Sequence, residues 1–108
     1  MRTLKFIVNE QSLTQDPTCD FSGIVSGTKG YLEAQFKFNS TWNSFGKVAV
    51  FTNLLEEYPA ILKNDKCVIP AEALTGANFS VSVIGSRTGR RITTNTVSIH
   101  QERGVKHV

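Results

Sequence analysis

The chain is poor in the residues that chemistry usually asks for. Its two histidines, His100 and His107, both stand near the C-terminal end of the 108 residues. Its two cysteines, Cys19 and Cys67, belong to no C-x-x-C pair, and two thiols cannot complete a four-ligand zinc site. No H-E-x-x-H, G-x-S-x-G or phosphate-loop pattern occurs. Glu56 and Glu57 are adjacent, and a strand sends neighbours to opposite faces, so they read as solvated charges rather than a carboxylate pair. No enzyme, cofactor or metal site is therefore expected. An apolar run of about 18 residues is also missing, which argues against membrane insertion. The N-terminus, MRTLKFIVNEQ, lacks the long apolar centre of a secretory leader. The expectation is a soluble chain made in a cytoplasm, where thiols stay reduced, with Cys67 a buried free thiol and Cys19 in a polar loop.

Charge is sparse as well. Asp, Glu, Lys and Arg make up 19% of the residues, against roughly 25% in an average domain, and the net charge is +3. A nucleic-acid binder concentrates its basic residues, so distribution counts for more than the total. The one cluster is Arg87, Arg90 and Arg91, around Gly89 in a predicted hairpin tip. Three arginines there could grip a phosphate or carboxylate, or could merely keep an edge soluble. No exposed aromatic accompanies them, so nucleic acid is not expected as a partner.

What the chain does have is alternation. In Tyr31–Phe38, Leu32, Ala34, Phe36 and Phe38 interleave with Glu33, Gln35 and Lys37, as in a strand with one wet face. Thr3–Val8 alternates through Leu4, Phe6 and Val8, and Asn78–Gly85 through Phe79, Val81 and Val83. Gln11–Thr14 reads as a continuation of the first strand after a kink. Lys47–Thr52 is continuously apolar at its centre, as in an interior strand. Glu57–Leu62 and Lys66–Ile69 flank a turn at Lys63-Asn64-Asp65. In Ile92–Gln101 the apolar phase slips, which predicts a bulge or bend near Thr94-Asn95. Pro70 and the following AEAL make a short helical connector. The residues from Gln15 to Gly30 read as a loop with at most one short strand. The fold class expected is all-β: an immunoglobulin-like antiparallel β-sandwich of seven to eight short strands, one domain over residues 1–102, with a flexible tail at 103–108. With edges left open, the terminal segments Thr3–Val8 and Ile92–Gln101 are the candidates for pairing with another subunit.

One stretch needs separate explanation. FKFNSTWNSFGKVAVF, residues 36–51, puts the only tryptophan in a loop between two strands. A loop closing one end of a sandwich must cover the core, and burying an aromatic removes about 150–250 Å² from water. Trp42 is expected to be a core plug, with Phe36, Phe38, Phe51 and Phe79 as the core around it; an exposed binding anchor is the alternative.

The order LKFIV, Q-x-L at Gln11–Leu13, YLEAQFKFNSTW, KVAVF, CVIPAEAL, FSVSVIG and ITTNTVSI, over about residues 3–100, resembles the N-terminal β-sandwich domain of upper-baseplate and tail-fibre-like proteins of phages of Gram-positive bacteria. Trp42 with Phe51, Cys67 to Pro70, and Phe79 to Gly85 with Thr93, Thr94 and Asn95 carry the likeness. The resemblance implies a virion structural or assembly module, partnered by other baseplate or tail proteins or by copies of itself. It departs from that family in having no heptads for a stalk, which implies either a piece of a larger protein or a stand-alone accessory protein. The competing expectation is a small phage-encoded regulator or inhibitor that binds a host protein or nucleic acid through the arginine tip.

Overall fold

In the computed structural model, which describes residues 1–104, the alternating runs become nine strands in two packed sheets. The strands are β1 (Arg2–Asn9), β2 (Ser12–Gln15), β3 (Leu32–Phe38), β4 (Gly46–Asn53), β5 (Glu56–Ile61), β6 (Lys66–Val68), β7 (Asn78–Arg87), β8 (Arg90–Thr93) and β9 (Val97–His100). One sheet runs β2-β1-β3-β6; the other runs β5-β4-β7-β8, with β9 also on β7. The expected all-β sandwich is present. The ninth strand arises because the phase slip at Thr94–Asn95 divides the last expected strand in two, and both halves pair with β7.

Two junctions differ from the expected connectivity. The kink after Val8 is a tight hairpin, Glu10 taking φ of 56°, so β2 folds back antiparallel on β1. This places β1 inside its sheet, between β2 and β3, and corrects the expectation that Thr3–Val8 forms an edge. Its other neighbour, β3, runs parallel to it, the one departure from antiparallel pairing among the named strands. A parallel pair needs a long return, and the loop-rich residues 16–31 supply it. Likewise the Lys63–Asp65 turn is formed, with Asn64 and Asp65 in left-handed conformation. It does not join a hairpin, however: β5 pairs with β4, β6 pairs with β3, and the turn carries the chain from one sheet to the other.

Inward residues of both sheets form one core cluster, from Leu4, Phe6, Val8 and Phe36 to Phe51, Phe79, Val81 and Ile99. Trp42 sits in a 3₁₀ turn, Ser40–Trp42, and is fully buried. Its ring lies against Gly85, where only a residue without a Cβ leaves room, and its Nε1 donates to the Glu10 carbonyl at 2.8 Å. Phe38 packs beside it at 5.1 Å between ring centroids and is half-buried. The loop tryptophan is thus the plug of the sandwich, and its indole N–H is satisfied by the hairpin it covers.

One lateral side of the sandwich is stapled shut. The Asn95 side chain meets the outer edge of β2 as a strand would: Leu13 N donates to Asn95 Oδ1 at 2.6 Å, and Asn95 Nδ2 donates to Leu13 O at 3.1 Å. Asn95 N also donates to Gln11 O, and Gln11 Nε2 to Thr93 O. The bend itself is fixed by Thr94, whose Oγ1 accepts from Val83 N. On the opposite side, β5 and β6 remain as edges, and β5 carries Pro59, which has no N–H to offer a further strand. Of the expected tail, Gly104 is held by its N–H donating to Ser26 Oγ at 3.1 Å. Residues 105–108, His107 among them, lie outside the described residues.

Candidate functional site

The arginine tip is where the sequence put it. Arg87 and Arg90 face each other across a two-residue turn, Thr88–Gly89, with Gly89 at φ of 71°. Arg91 pairs with Ser86, one step along, and so points to the other face of the hairpin. The cluster of three is therefore two plus one. Arg87 lies over the Phe45 ring at 5.6 Å, in cation–π contact, so part of the tip is tied to the Trp42 loop. All three arginines are exposed, and Lys47–Asp65, at 3.9 Å, is the one ion pair among the described residues.

The second hairpin tip is chemically stranger. β4 and β5 are joined by two residues, Leu54 and Leu55, since Asn53 and Glu56 still pair in register. Both leucines point into solvent, 91% and 98% exposed. Leu54 is also left-handed, with φ of 56°, a conformation that costs a side-chain-bearing residue about 1–2 kcal/mol. Asn53 fixes the base of this tip: it is buried, and its Nδ2 donates to Ala73 O and Thr75 O, each at 2.7 Å. The leucines are thus held away from the core. Glu56 and Glu57 follow them, both exposed, and Ile61 further along β5 is 74% exposed. A hairpin turn ordinarily takes Asn, Gly or Asp here, so the residues present oppose both solubility and turn geometry.

Sequence reasoning placed strands at Lys47–Thr52 and Glu57–Leu62 but attached no meaning to the connection. The signal was there: a short link between two strands with leucine, rather than Asn, Asp or Gly, at both central positions.

A third feature is a shallow apolar dent of about 300 Å³ at the C-terminal ends of β1 and β3, lined by Ile7, Val8, Asn9, Lys37, Phe38 and Asn39. Ile7 and Lys37 are register partners on the outer face of their sheet. Lys47 Nζ stands 5.1 Å from the centre of the Phe38 ring.

The thiols take different surroundings. Both are free. Cys67 is half-buried, and that burial, together with the Glu33 carboxylate, pushes its pKa up to about 12. Cys19 Sγ accepts from Lys5 N at 3.4 Å in the loop after β2. That loop is built on two carboxylates held below their usual range by hydrogen bonds: Asp16 from Thr18, and Asp20 from Ser22. Arg2 ties it to β1 by donating to the carbonyls of Asp20, Ser22 and Gly23.

No helix among the described residues is long and apolar enough to cross a membrane, and no group of three His, Cys, Asp or Glu side chains there could hold a metal ion. No known protein family matches the chain, and no curated protein is similar to it beyond chance.

Proposed function

We propose that this chain is a non-enzymatic protein-interaction module, a structural or assembly component of a phage tail or baseplate that works through contacts with other virion proteins. The observation that carries the interaction reading is the Leu54–Leu55 tip. Two fully solvated leucines, one of them in a strained backbone conformation, work against stability in the free protein and repay it only when a partner covers them. The virion setting rests on the likeness of the strand motifs to baseplate domains.

The test is incorporation. A Leu54→Ser, Leu55→Ser variant should fold as the parent does, because the tip contributes nothing to the core. Expressed during infection, the parent should be found by mass spectrometry in purified particles and the variant depleted. Absence of the parent from particles removes the virion setting; equal incorporation of the variant removes the tip as the contact.

The second reading, a regulator that binds nucleic acid or a host protein, is favoured by the three exposed arginines, none with an acidic partner among the described residues. Sub-micromolar DNA binding at physiological salt, with a salt slope that flattens when Arg87, Arg90 and Arg91 become serine, would establish it over the first. We expect no such binding.

A further inference from the structure

Just beyond β9 stands a polar atom that the protein itself does not satisfy. Gln101 is 2% exposed, and its Oε1 has no hydrogen-bond partner, the one such buried side-chain atom among the described residues. Turning the amide over would not repair this. Its Nε2 donates at 2.9 Å to Thr75 O, which also accepts from Asn53 Nδ2, and the turned amide would set two oxygens together. Folded proteins seldom leave a buried acceptor without a donor, because its lost hydration is not replaced.

Gln101 lines a cavity of about 280 Å³, whose other walls are Ser26, Gly76, Ala77 and Arg103. The main chain holds these walls in place. Ser26 N donates to Glu102 O, Glu102 N to Ile24 O, and Gly104 N to Ser26 Oγ. Gln101 N donates to Ala77 O, and Gly76 turns the chain with φ of 70°. Glu102 forms a bridge with Val25, so the backbone there is extended. Gln101 and Arg103 therefore share one side, and Glu102 faces the other, where its carboxylate lies near Gly23. Arg103 is thus the one charged group of the lining, and it forms no ion pair among the described residues.

We propose that this cavity binds a small carboxylate with an N–H donor beside it: an N-acylated α-amino acid, free or as the last residue of a peptide. The Arg103 fork takes the carboxylate, and Gln101 Oε1 accepts the N–H. The two residues are about 7 Å apart along extended chain, a span that one amino-acid residue bridges between their side chains. A singly charged acid suits a single guanidinium. A phosphate monoester, close to doubly charged, would find no second cation in these walls. A Cβ on Gly76 would meet nothing within 4 Å, so there is room on that side for the acyl group. The site is separate from the leucine tip and does not depend on the virion reading.

The test is amide NMR of the ¹⁵N-labelled chain titrated with N-acetylglycine to about 20 mM, since so small a ligand binds in the millimolar range. Shifts that saturate together are expected at Ser26, Gly76, Ala77 and the Gln101 side-chain amide. N-acetylsarcosine keeps the acid and lacks the N–H, whereas N-acetylglycinamide keeps the N–H and lacks the acid. Each should bind at least about fivefold more weakly. Arg103 is exposed, so Arg103→Gln should leave the fold intact and weaken binding by a similar factor, with Arg103→Lys restoring part of it. Acetyl-Ala-Ala-Gly bound at least as tightly as N-acetylglycine would make the ligand a peptide terminus; weaker binding would make it the free acyl amino acid. No shifts in the cavity, either analogue binding as well as N-acetylglycine, or an Arg103→Gln variant that binds like the parent would each overturn the proposal. Equal binding of acetate or inorganic phosphate would do the same, reducing the site to an adventitious anion contact at Arg103.

Discussion

Replacing Gly85 by alanine should unsettle the whole sandwich through one side chain. A Cβ at this position would stand 2.8 Å from Trp42 Cζ3, 3.0 Å from Trp42 Cε3 and 3.0 Å from Ile92 Cγ2. Non-bonded carbons settle at about 3.5–4.0 Å, so the indole must retreat by close to 1 Å. It has little room to do so. Phe38 and Phe45 pack on it at 5.1 and 6.3 Å, and its N–H is tied to the Glu10 carbonyl. Overpacking of this kind costs about 1–3 kcal/mol, of which the loss of glycine's freedom in the unfolded chain returns about 0.4–1. A net loss of about 1–2 kcal/mol should lower the melting midpoint by roughly 5–15 °C. Trp42 is the only tryptophan, so its own fluorescence reports urea unfolding of the parent and of Gly85→Ala. The cause is then isolated with Trp42→Phe, followed by circular dichroism. The smaller ring makes room, so Gly85→Ala should cost at least about 0.5 kcal/mol less in that background. An alanine variant as stable as the parent, or costs that simply add, would refute the reasoning.

Asn95→Ala should cost about 1–3 kcal/mol, since it leaves the Leu13 amide and carbonyl without partners, and hydrogen exchange should show the Leu13 amide losing protection; continued protection would mean the staple does not hold β2. Cys67 should resist iodoacetamide at about pH 8 in the folded protein and react once denaturant is added, because the thiolate is the reacting form. Its raised pKa also gives a stability term of known sign. The folded state holds the thiol proton more tightly than the unfolded one, so this stability is complete below the unfolded value of about 8.5 and is lost as pH rises toward about 12. A Cys67→Val variant should lose less stability than the parent over that window; parallel curves would count against the burial account.

The strands were legible because their inner faces alternate. Leu4, Phe6 and Val8 against Lys5 and Ile7, and Leu32, Ala34 and Phe36 against Glu33 and Gln35, announce a buried side whatever the partner strand. The burial of Trp42 followed from size alone. Pairing was less legible, because alternation says nothing about which strand lies alongside. The polar turn at Lys63–Asp65 reads as a hairpin when it is a crossing between sheets, and nothing local to Thr3–Val8 shows that Ser12–Gln15 covers one of its edges. The arginine tip was visible as a cluster, but its division between two faces depends on the register of β7 with β8. The leucine tip was the reverse case: its residues are plain in the sequence, yet leucine ordinarily signals core, and only the Asn53–Glu56 pairing turns them outward.

The Asn95 staple bears on how the protein is made. Asn95 and the strand it closes are 82 residues apart, so β2 emerges from the ribosome long before its cover does. Synthesis at about 5–20 residues per second leaves an interval of about 3–12 s between the completion of β3 and the arrival of Asn95. During that time the outer edge of β2 has no cover, although β4, β5 and β7 of the opposing sheet have already been made. Contacts spanning most of the chain also make folding slow. A nascent chain stopped short of the β8–β9 bend would lack the cover of β2 and strand β9 of the opposing sheet together. Loss of its last strands should therefore be felt as failure of the whole fold rather than as fraying at one end.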